Sequence, residues 1–531
     1  MGSTPEQTAL LDGFLQPMSL DIEKCHVLSQ RFLQNFVQLA ADSLDQFLPT
    51  PISESILRPV ADHGHGRHLA IDIGGTNLRV GFVELSTSKP HGLGTNGTLD
   101  ASGRDLGGQS SSTWPSGRLQ RHLEKSWPIA NHLKNDNADG LFLWIGECIA
   151  EVVEEGCRKF NLARDAPLPL GVTFSFPVEQ PSLDKAVIQS VGKGFAISPN
   201  IDLGVRLRDA YDKQRGTNLP PVYVAAIAND SVSTLVSFIF NYDGVAHRRA
   251  TMGLILGTGS NATIPVKLSM LHPSKRPRNV NILPGEKVEN AKIAVNTEWS
   301  INGTAPPMRD LGLINAWDDK LSAQNEKPGF QPLEYMTAGR YLGELGRIML
   351  LDYLIGTLKV SSNSLPSEML QQNSLTTTFL SHFKPLDAAT LLPKLRQEFP
   401  ESPESGFAWT EHHAEALYHI AKAIEVRAAG IIAAAILALL TIGGELPAEE
   451  EEDASMASPD MRELGVGYTG GCVVHFQDYL ADCQAFIDGL VRRKFGAGSQ
   501  LSVVMSPCHD GGITGAGILV AAALSSQRSR T

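Results

Sequence analysis

One pattern occurs twice in this chain. Ala70-Ile71-Asp72-Ile73-Gly74-Gly75-Thr76-Asn77 and Gly253-Leu254-Ile255-Leu256-Gly257-Thr258-Gly259-Ser260-Asn261 share a plan: an apolar run, a glycine and threonine turn, and an asparagine. A short apolar run closed by glycines suits a buried strand, because a helix needs more length to bury a face. Around the two runs, strand-like segments alternate with helical ones, which defines an α/β chain. The repetition predicts a duplicated nucleotide-binding fold with two lobes, one turn in each, and a cleft between them.

Helical periodicity runs from Asp21 to Leu48, with Leu28, Phe32, Phe36 and Leu39 on one face. Leu69 to Leu85 reads as strand, glycine turn and strand. Leu141 to Phe160 is helical, and Leu170–Phe176, Val222–Ile227 and Met252–Leu256 are short buried strands. Met336–Leu358, His412–Leu440 and Tyr479–Phe495 follow as helices. The glycine- and serine-rich stretch Ser86–Gly117 is expected to be a surface loop or insertion, and Pro447–Pro459, with its acidic run Glu449–Asp453, a solvated loop. Ser361–Gln372 is a serine-rich interruption.

The formal net charge of -12 argues against nucleic acid as a partner, since that usually selects a basic face. It does not argue against a nucleotide, whose phosphates need only a few local amides. The apolar run Ala428–Leu440 is shorter than the ~20 residues that span a bilayer and follows Arg427, so it predicts a buried core helix and no membrane insertion. Met1–Leu20 lacks a basic stretch followed by an apolar core, so no secretory signal is expected and the cytoplasm is the default location. The six cysteines form no CxxC pair, which points to buried free thiols.

Phosphoryl transfer asks a protein mainly for alignment and charge neutralisation. Backbone N–H groups grip a phosphate where glycine lets the chain come close, and Gly74-Gly75-Thr76-Asn77 and Gly257-Thr258-Gly259 offer two such grips. Taken singly, each is also what an ordinary hairpin shows. Asp72, ending the first strand, is placed to orient Mg²⁺ through water; Arg79 either adds positive charge near the phosphates or pairs internally. No GxxxxGK[ST] sequence is present, which excludes a P-loop kinase. Asn229-Asp230 follows an apolar strand, as a turn or helix cap also does. Glu298, Glu334 and the loop lysine Lys193 are unremarkable alone.

Together, in this order, these features resemble the hexokinases over most of the chain, from about Glu23 to Leu524. The carriers are Leu69–Val80, Thr173-Phe174-Ser175-Phe176-Pro177-Val178-Glu179-Gln180, Gly192-Lys193-Gly194-Phe195, Asn229-Asp230, Gly257–Asn261, Asn296-Thr297-Glu298-Trp299, and Glu334 before Gly339-Arg340-Tyr341-Leu342-Gly343-Glu344-Leu345. The resemblance implies a two-lobed, actin-like ATPase (ribonuclease H-like) fold, with ATP and Mg²⁺ as cofactors and a hexose as the phosphate acceptor. It implies Asp230 as the general base that takes the proton of the sugar 6-hydroxyl, with Lys193 near that hydroxyl and the γ-phosphate. Ser175, Phe176, Asn229, Asn261, Glu298 and Glu334 line the sugar pocket, beside Gly192. Asp72, Gly74, Gly75, Thr76, Asn77, Arg79, Gly257, Thr258 and Gly259 hold phosphates. Thr377 and Ser381 match a weaker nucleotide-contact pattern, and Thr469, Gly470, Gly471, Gly515 and Gly517 fall in the two adenosine motifs. The implied domains are an N-terminal helical segment at 15–66 packing on the large domain, a small domain at 67–228, a large domain at 229–515, and a C-terminal helix at 516–531 returning to the small domain. The chain is expected as a monomer or homodimer.

The departures have a direction. Where glucose-type members read Trp-Thr-Lys-Gly-Phe, this chain reads Val191-Gly192-Lys193-Gly194-Phe195, losing a hydroxyl worth about 0.5–1.5 kcal/mol of hydrogen bonding and opening space beside the sugar. Ser300-Ile301-Asn302-Gly303-Thr304 replaces Gly-Ala-Phe-Gly-Asp, and Thr469-Gly470-Gly471 replaces Asp-Gly-Ser. These changes, with Lys125-Ser126-Trp127, Leu271-His272-Pro273-Ser274-Lys275, Phe330-Gln331-Pro332, Met336-Thr337 and Val466-Gly467-Tyr468, resemble the fungal N-acetylglucosamine kinase branch. That branch implies N-acetylglucosamine 6-phosphate as product, in amino sugar catabolism. A glucose hexokinase of glycolysis, and a catalytically weak hexokinase-like sugar sensor, are the alternatives.

Overall fold

Both glycine turns close antiparallel hairpins. Gly66–Ile73 turns into Asn77–Leu85, with Asp72 opposite Arg79 and Ile73 opposite Leu78. Arg248–Leu256 turns into Ser260–Lys267, with Leu256 opposite Ser260 and Ile255 opposite Asn261. The computed structural model describes all residues except 1–3, 64, 87–117, 136–137, 190–194, 244–246, 402–403, 405, 448–461 and 529–531. The expected loops at Ser86–Gly117 and Pro447–Pro459 therefore fall almost wholly outside the described residues.

Each hairpin founds a sheet of the same plan. One runs Leu119–Pro128, Asn77–Leu85, Gly66–Ile73, Leu168–Phe174, Val222–Ala228; the other runs Lys292–Asn296, Ser260–Lys267, Arg248–Leu256, Arg462–Thr469, Leu501–Pro507. In both, the first three strands are antiparallel and the last two continue parallel to the founding strand. A further strand, Leu48–Ser53, borders Lys292–Asn296. The sequence echo is thus a repeated sheet, and the parallel strands place their carboxyl ends together, where α/β folds bind ligands.

The chain divides into two units. The first comprises Met1–Pro49, His247–Arg276 and Lys292–His509; the second comprises Thr50–Ala246, Pro277–Ala291 and Asp510–Thr531. In the second unit, Ala138–Phe160 and Leu203–Arg215 pack together, so closely that a methyl on Gly146 would sit 2.6 Å from the backbone of Ala210. Ile145, Ile149, Val152 and Val153 join Leu69, Ile71, Val80 and Val172 in its core. The terminal helix Gly511–Arg528 packs on Gly66–Ile73, Leu168–Phe174 and the helix Asp230–Tyr242. The helix Asp230–Tyr242, at whose start the sequence places the opening of the large domain (Asn229), packs on the terminal helix within this second unit.

In the first unit the long helix Glu411–Ile442 is buried along most of its length. It is apolar and long enough to cross a membrane, yet 89% of its most apolar window is buried inside the protein. One cover is the helix Ile22–Asp42. Asp21 caps that helix by accepting the Lys24 N–H at 2.8 Å, and Cys25, Leu28, Phe32, Phe36 and Ala40 supply its buried stripe. Burying each of the larger side chains contributes roughly 1.5–3 kcal/mol. Gly430 permits the contact: a Cβ there would meet Leu20 Cδ2 at 2.6 Å and Cys25 Sγ at 2.9 Å. Arg427 is fully buried and forks onto Asp318, at 2.7 Å for each oxygen, while donating to the Leu313 carbonyl.

The expected single helix Met336–Leu358 is broken. Pro332–Thr337 ends at Ala338, whose backbone is extended, and Gly339–Asp352 begins anew. The break frees the Gly339 N–H to bond the Gly257 carbonyl at 2.8 Å. All six cysteines are free thiols, with Cys157 half-buried and the others buried.

Candidate functional site

In the second unit the predicted residues gather where the parallel strands end. Asp72 leaves the founding strand, Ser175 lies just past the next, and Asn229 and Asp230 follow the third. The turn between the hairpin strands is held by Gly74 N–H donating to the Asn77 carbonyl at 3.0 Å; Thr76 and Asn77 are exposed at its tip. Asn229 caps the helix Asp230–Tyr242, its Oδ1 accepting the Ser231 N–H at 2.9 Å and the Ser231 hydroxyl at 2.7 Å. That fixes Asp230 as the first residue of the helix, half-buried, with Oδ1 accepting the Ser231 N–H at 2.8 Å. The cap and the candidate base are therefore one device.

Asp72 is the electrostatic centre of this group. Burial pushes its carboxyl up to about 6; Arg79 pulls it down and the charge of Asp230 pushes it up again. Arg79 Nη2 lies 2.9 Å from Asp72, and its Nη1 lies 2.6 Å from Asp510, which Arg121 also contacts at 2.9 Å. Of the two roles open to Arg79 from sequence, the internal pairing is present. The start of the terminal helix presses on Asp72: a Cβ on Gly512 would stand 2.5 Å from its Oδ2. Thr173 ties the same corner together, sharing a hydrogen with Ser233 at 2.6 Å and donating to the Gly512 carbonyl at 2.8 Å.

Phe176 is buried against Phe174 and Phe195, with ring centroids 5.1 Å away in both cases. Gly192 and Lys193 lie outside the described residues. Gly515 and Gly517 sit at close-packing points of the terminal helix, the first against the Ser233 carbonyl and the second against Val83.

In the first unit the second glycine turn meets two others. Gly257 N–H donates to the Gly259 carbonyl at 3.0 Å, and Thr258 stands exposed between them. Gly470 takes a φ of 129°, and a Cβ there would lie 2.2 Å from the Leu256 carbonyl oxygen. Only glycine allows the two turns to approach so closely. Thr469 ends the strand before it, and Gly471 starts a short helix. Arg340 N–H donates to the Thr258 carbonyl at 3.3 Å. Thr377 and Ser381 are buried and bonded elsewhere: Thr377 Oγ1 accepts the Gly343 N–H at 2.8 Å, and Ser381 donates to the Thr377 carbonyl at 2.8 Å.

The sugar candidates of this unit form a polar cluster on neighbouring strands. Asn261 Nδ2 donates to Asn296 Oδ1 at 2.9 Å and to Glu298 Oε1 at 3.3 Å, and Asn296 Nδ2 donates to the same carboxylate oxygen at 2.8 Å. Glu334 Oε2 accepts the Ser260 N–H at 3.0 Å, and Ser260 Oγ accepts the Trp299 indole N–H at 3.0 Å. Two carboxylates are thus held in fixed directions by amides, as recognition of sugar hydroxyls requires.

Sequence reasoning missed Thr173, Ser233, Asp510 and Asn296. Asp510 carried a usable signal, an aspartate directly before two glycines that open a helix. The motifs contain Thr173 and Asn296 without singling them out: Thr173 pairs with the remote Ser233 and Gly512, and Asn296 links the remote Asn261 to its near neighbour Glu298.

Known proteins converge on the same description. Models described as hexokinase match residues 10–240 and 251–522. Hexokinase-2 of Rattus norvegicus is 30% identical over 290 residues, which is 54% of this chain and 26% of the relative. Hexokinase-3 of Rattus norvegicus is 27% identical over 437 residues, 81% of this chain and 40% of the relative. The chain therefore spans well under half the length of such relatives. A hexokinase from Schistosoma mansoni, solved with glucose, gives a TM-score of 0.72 at 21% identity and covers 98% of this chain and 99% of its own, so the fold is shared in full. With both halves matched in order and the α/β fold common to solved hexokinases, the chain belongs to the hexokinase family.

Proposed function

We propose that this chain is an ATP-dependent hexose kinase that phosphorylates the 6-hydroxyl of N-acetylglucosamine. The observation that carries the kinase reading is that Asp72 and Asp230, at the ends of strands in one sheet beside a glycine turn, lie within electrostatic reach of each other. Phosphoryl transfer to an alcohol needs a base for the hydroxyl proton and an anchor for the metal that accompanies the phosphates. Asp230 supplies the first. Its carboxylate accepts the 6-hydroxyl proton as that oxygen bonds to the γ-phosphorus and the bond to ADP breaks, a contribution of roughly 10²–10⁴ in rate.

Asp72 fits the second role. Mg²⁺ keeps several waters and takes one or two carboxylates beside phosphate oxygens, so one carboxylate, even one shared with Arg79, with another acid nearby is a suitable donor set. When bound, the ion neutralises charge on the phosphates. The two glycine turns, with Thr76 and Thr258 at their exposed tips, suit phosphate binding through backbone N–H groups. Asn261, Asn296, Glu298 and Glu334 supply directed acceptors and donors for sugar hydroxyls.

N-acetylglucosamine as the sugar is supported by sequence: glycine at 192 replaces the larger threonine of glucose-type members, and segments such as Lys125-Ser126-Trp127 and Val466-Gly467-Tyr468 resemble the N-acetylglucosamine kinase branch. The test is ATP turnover by the purified protein with N-acetylglucosamine and with glucose, beside an Asp230→Ala control. Preference for N-acetylglucosamine supports the full reading. Preference for glucose keeps the kinase and discards the sugar. A folded protein with no turnover that depends on Asp230 would move the assignment to a sugar-sensing regulator.

A further inference from the structure

Glu298 has a φ of 45°, in the left-handed region that a residue with a long side chain rarely adopts. Such a conformation persists only when its surroundings hold it. The holding groups come from a remote stretch of the same unit. Phe47 N–H donates to the Thr297 carbonyl at 3.1 Å, and the Gln46 side-chain amide donates to the Glu298 carbonyl at 2.9 Å and to Thr304 Oγ1 at 3.2 Å. The peptide bond between Thr297 and Glu298 and the one that follows are therefore each fixed from outside.

Gln46 is itself locked. It is 2% exposed, and its backbone carbonyl accepts from Lys275 Nζ at 2.8 Å. Its amide oxygen fills the space over Gly303, where a Cβ would come within 1.9 Å. Asn35 Nδ2 donates to the Gly303 carbonyl at 3.1 Å, bracing the same turn from the helix Ile22–Asp42. This turn is Ser300-Ile301-Asn302-Gly303-Thr304, the segment in which the chain departs from its family's usual sequence.

We propose that Gln46 is a positioning residue for sugar recognition: by fixing the left-handed backbone at Glu298, it keeps the Glu298 carboxylate on Asn296 and Asn261 and aimed for sugar hydroxyls. The proposal rests on the reading of Glu298 as a sugar-binding residue. Gln46 touches no sugar. It acts through Glu298, which makes a specific kinetic pattern.

The test uses the full chain and steady-state kinetics, with N-acetylglucosamine and ATP varied separately. Gln46→Ala removes the amide; Gln46→Glu keeps its shape but replaces the donor by an acceptor. In both, the sugar KM is expected to rise about tenfold or more while the ATP KM stays within about twofold. Glu298→Gln alone should also raise the sugar KM, and adding Gln46→Glu to it should change that KM by less than about twofold, because both changes act on one group. If the alanine variant fails to fold, the glutamate variant decides. An unchanged sugar KM in an active protein, or effects of Gln46 and Glu298 that multiply, overturns the positioning role and leaves the kinase reading intact. A folded wild-type chain that turns over no hexose removes the sugar reading and this role with it.

Discussion

Asp72 and Arg79 face each other across the first hairpin as register partners, with Arg79 Nη2 2.9 Å from Asp72 Oδ2. The same guanidinium serves Asp510 through its other nitrogen, so Asp72 receives half of one cation. Burial outweighs that attraction, and the carboxyl rises to about 6. Keeping it ionised at neutral pH costs on the order of 3 kcal/mol relative to the unfolded chain. The folded carboxyl binds its proton more tightly than the unfolded one. Its contribution is therefore full below the unfolded value and is lost as pH rises through about 6. Asp72→Asn should raise the melting temperature of the metal-free protein at about pH 7.5 and flatten its dependence between about pH 4 and pH 6. Turnover should fall at least ~100-fold. A variant melting below wild type at that pH contradicts this.

Glu425 makes a second pH prediction. It is fully buried, and Lys422 Nζ stands 2.7 Å from it while also contacting Asp482 at 2.6 Å and Asp478 at 2.9 Å. One ammonium shared by three acids does not offset burial, which pushes Glu425 up to about 8. Stability from this group is present below the usual carboxylate range and declines as pH rises through about 8. Glu425→Gln should leave the urea midpoint near wild type in mild acid and raise it above about pH 8. Equal pH slopes for the two proteins would sink the idea.

Arg427 and Asp318 are both buried and bonded through two oxygens. Removing the acid leaves a buried guanidinium with only the Leu313 carbonyl. Asp318→Ala should cost about 3–5 kcal/mol in denaturant unfolding. A loss below about 1 kcal/mol would mean that water or another acid replaces the partner.

Gly192→Thr restores the hydroxyl and bulk of the glucose-type motif. The ratio of kcat/KM for glucose over that for N-acetylglucosamine should rise by about tenfold or more, consistent with a group added where the larger sugar needs space. Competition kinetics with both sugars present measure the ratio directly, and an unchanged ratio removes Gly192 from the specificity argument.

The local elements were readable because each carries its own signal. The founding hairpins follow from apolar runs closed by glycine, and Glu411–Ile442 from an apolar run free of proline. What periodicity cannot see is a partner. The helix expected across Met336–Leu358 is interrupted at the extended Ala338, where the freed Gly339 N–H finds its acceptor in Gly257, far away in sequence. Arg427 looked like the flank of a hydrophobic helix, yet it lies in the core because Asp318 receives it. In the candidate site, motif order brought Asn261, Glu298 and Glu334 forward, whereas Gln46 has no motif and shows its role only through the backbone of Glu298. The repeated sheet order was implied by the echo at its start, but the remaining strands share no recognisable sequence.

The long helix Glu411–Ile442 has the length and hydrophobicity of a membrane segment, and its cover includes Ile22–Asp42. During synthesis that covering helix leaves the ribosome well before the helix it shields. Part of the cover is thus made before the hydrophobic segment, whereas the helix Tyr479–Phe495, which also packs on it, follows later. Order of synthesis therefore leaves one flank of the hydrophobic helix with a ready amphipathic partner and the other to be closed by a helix still to come.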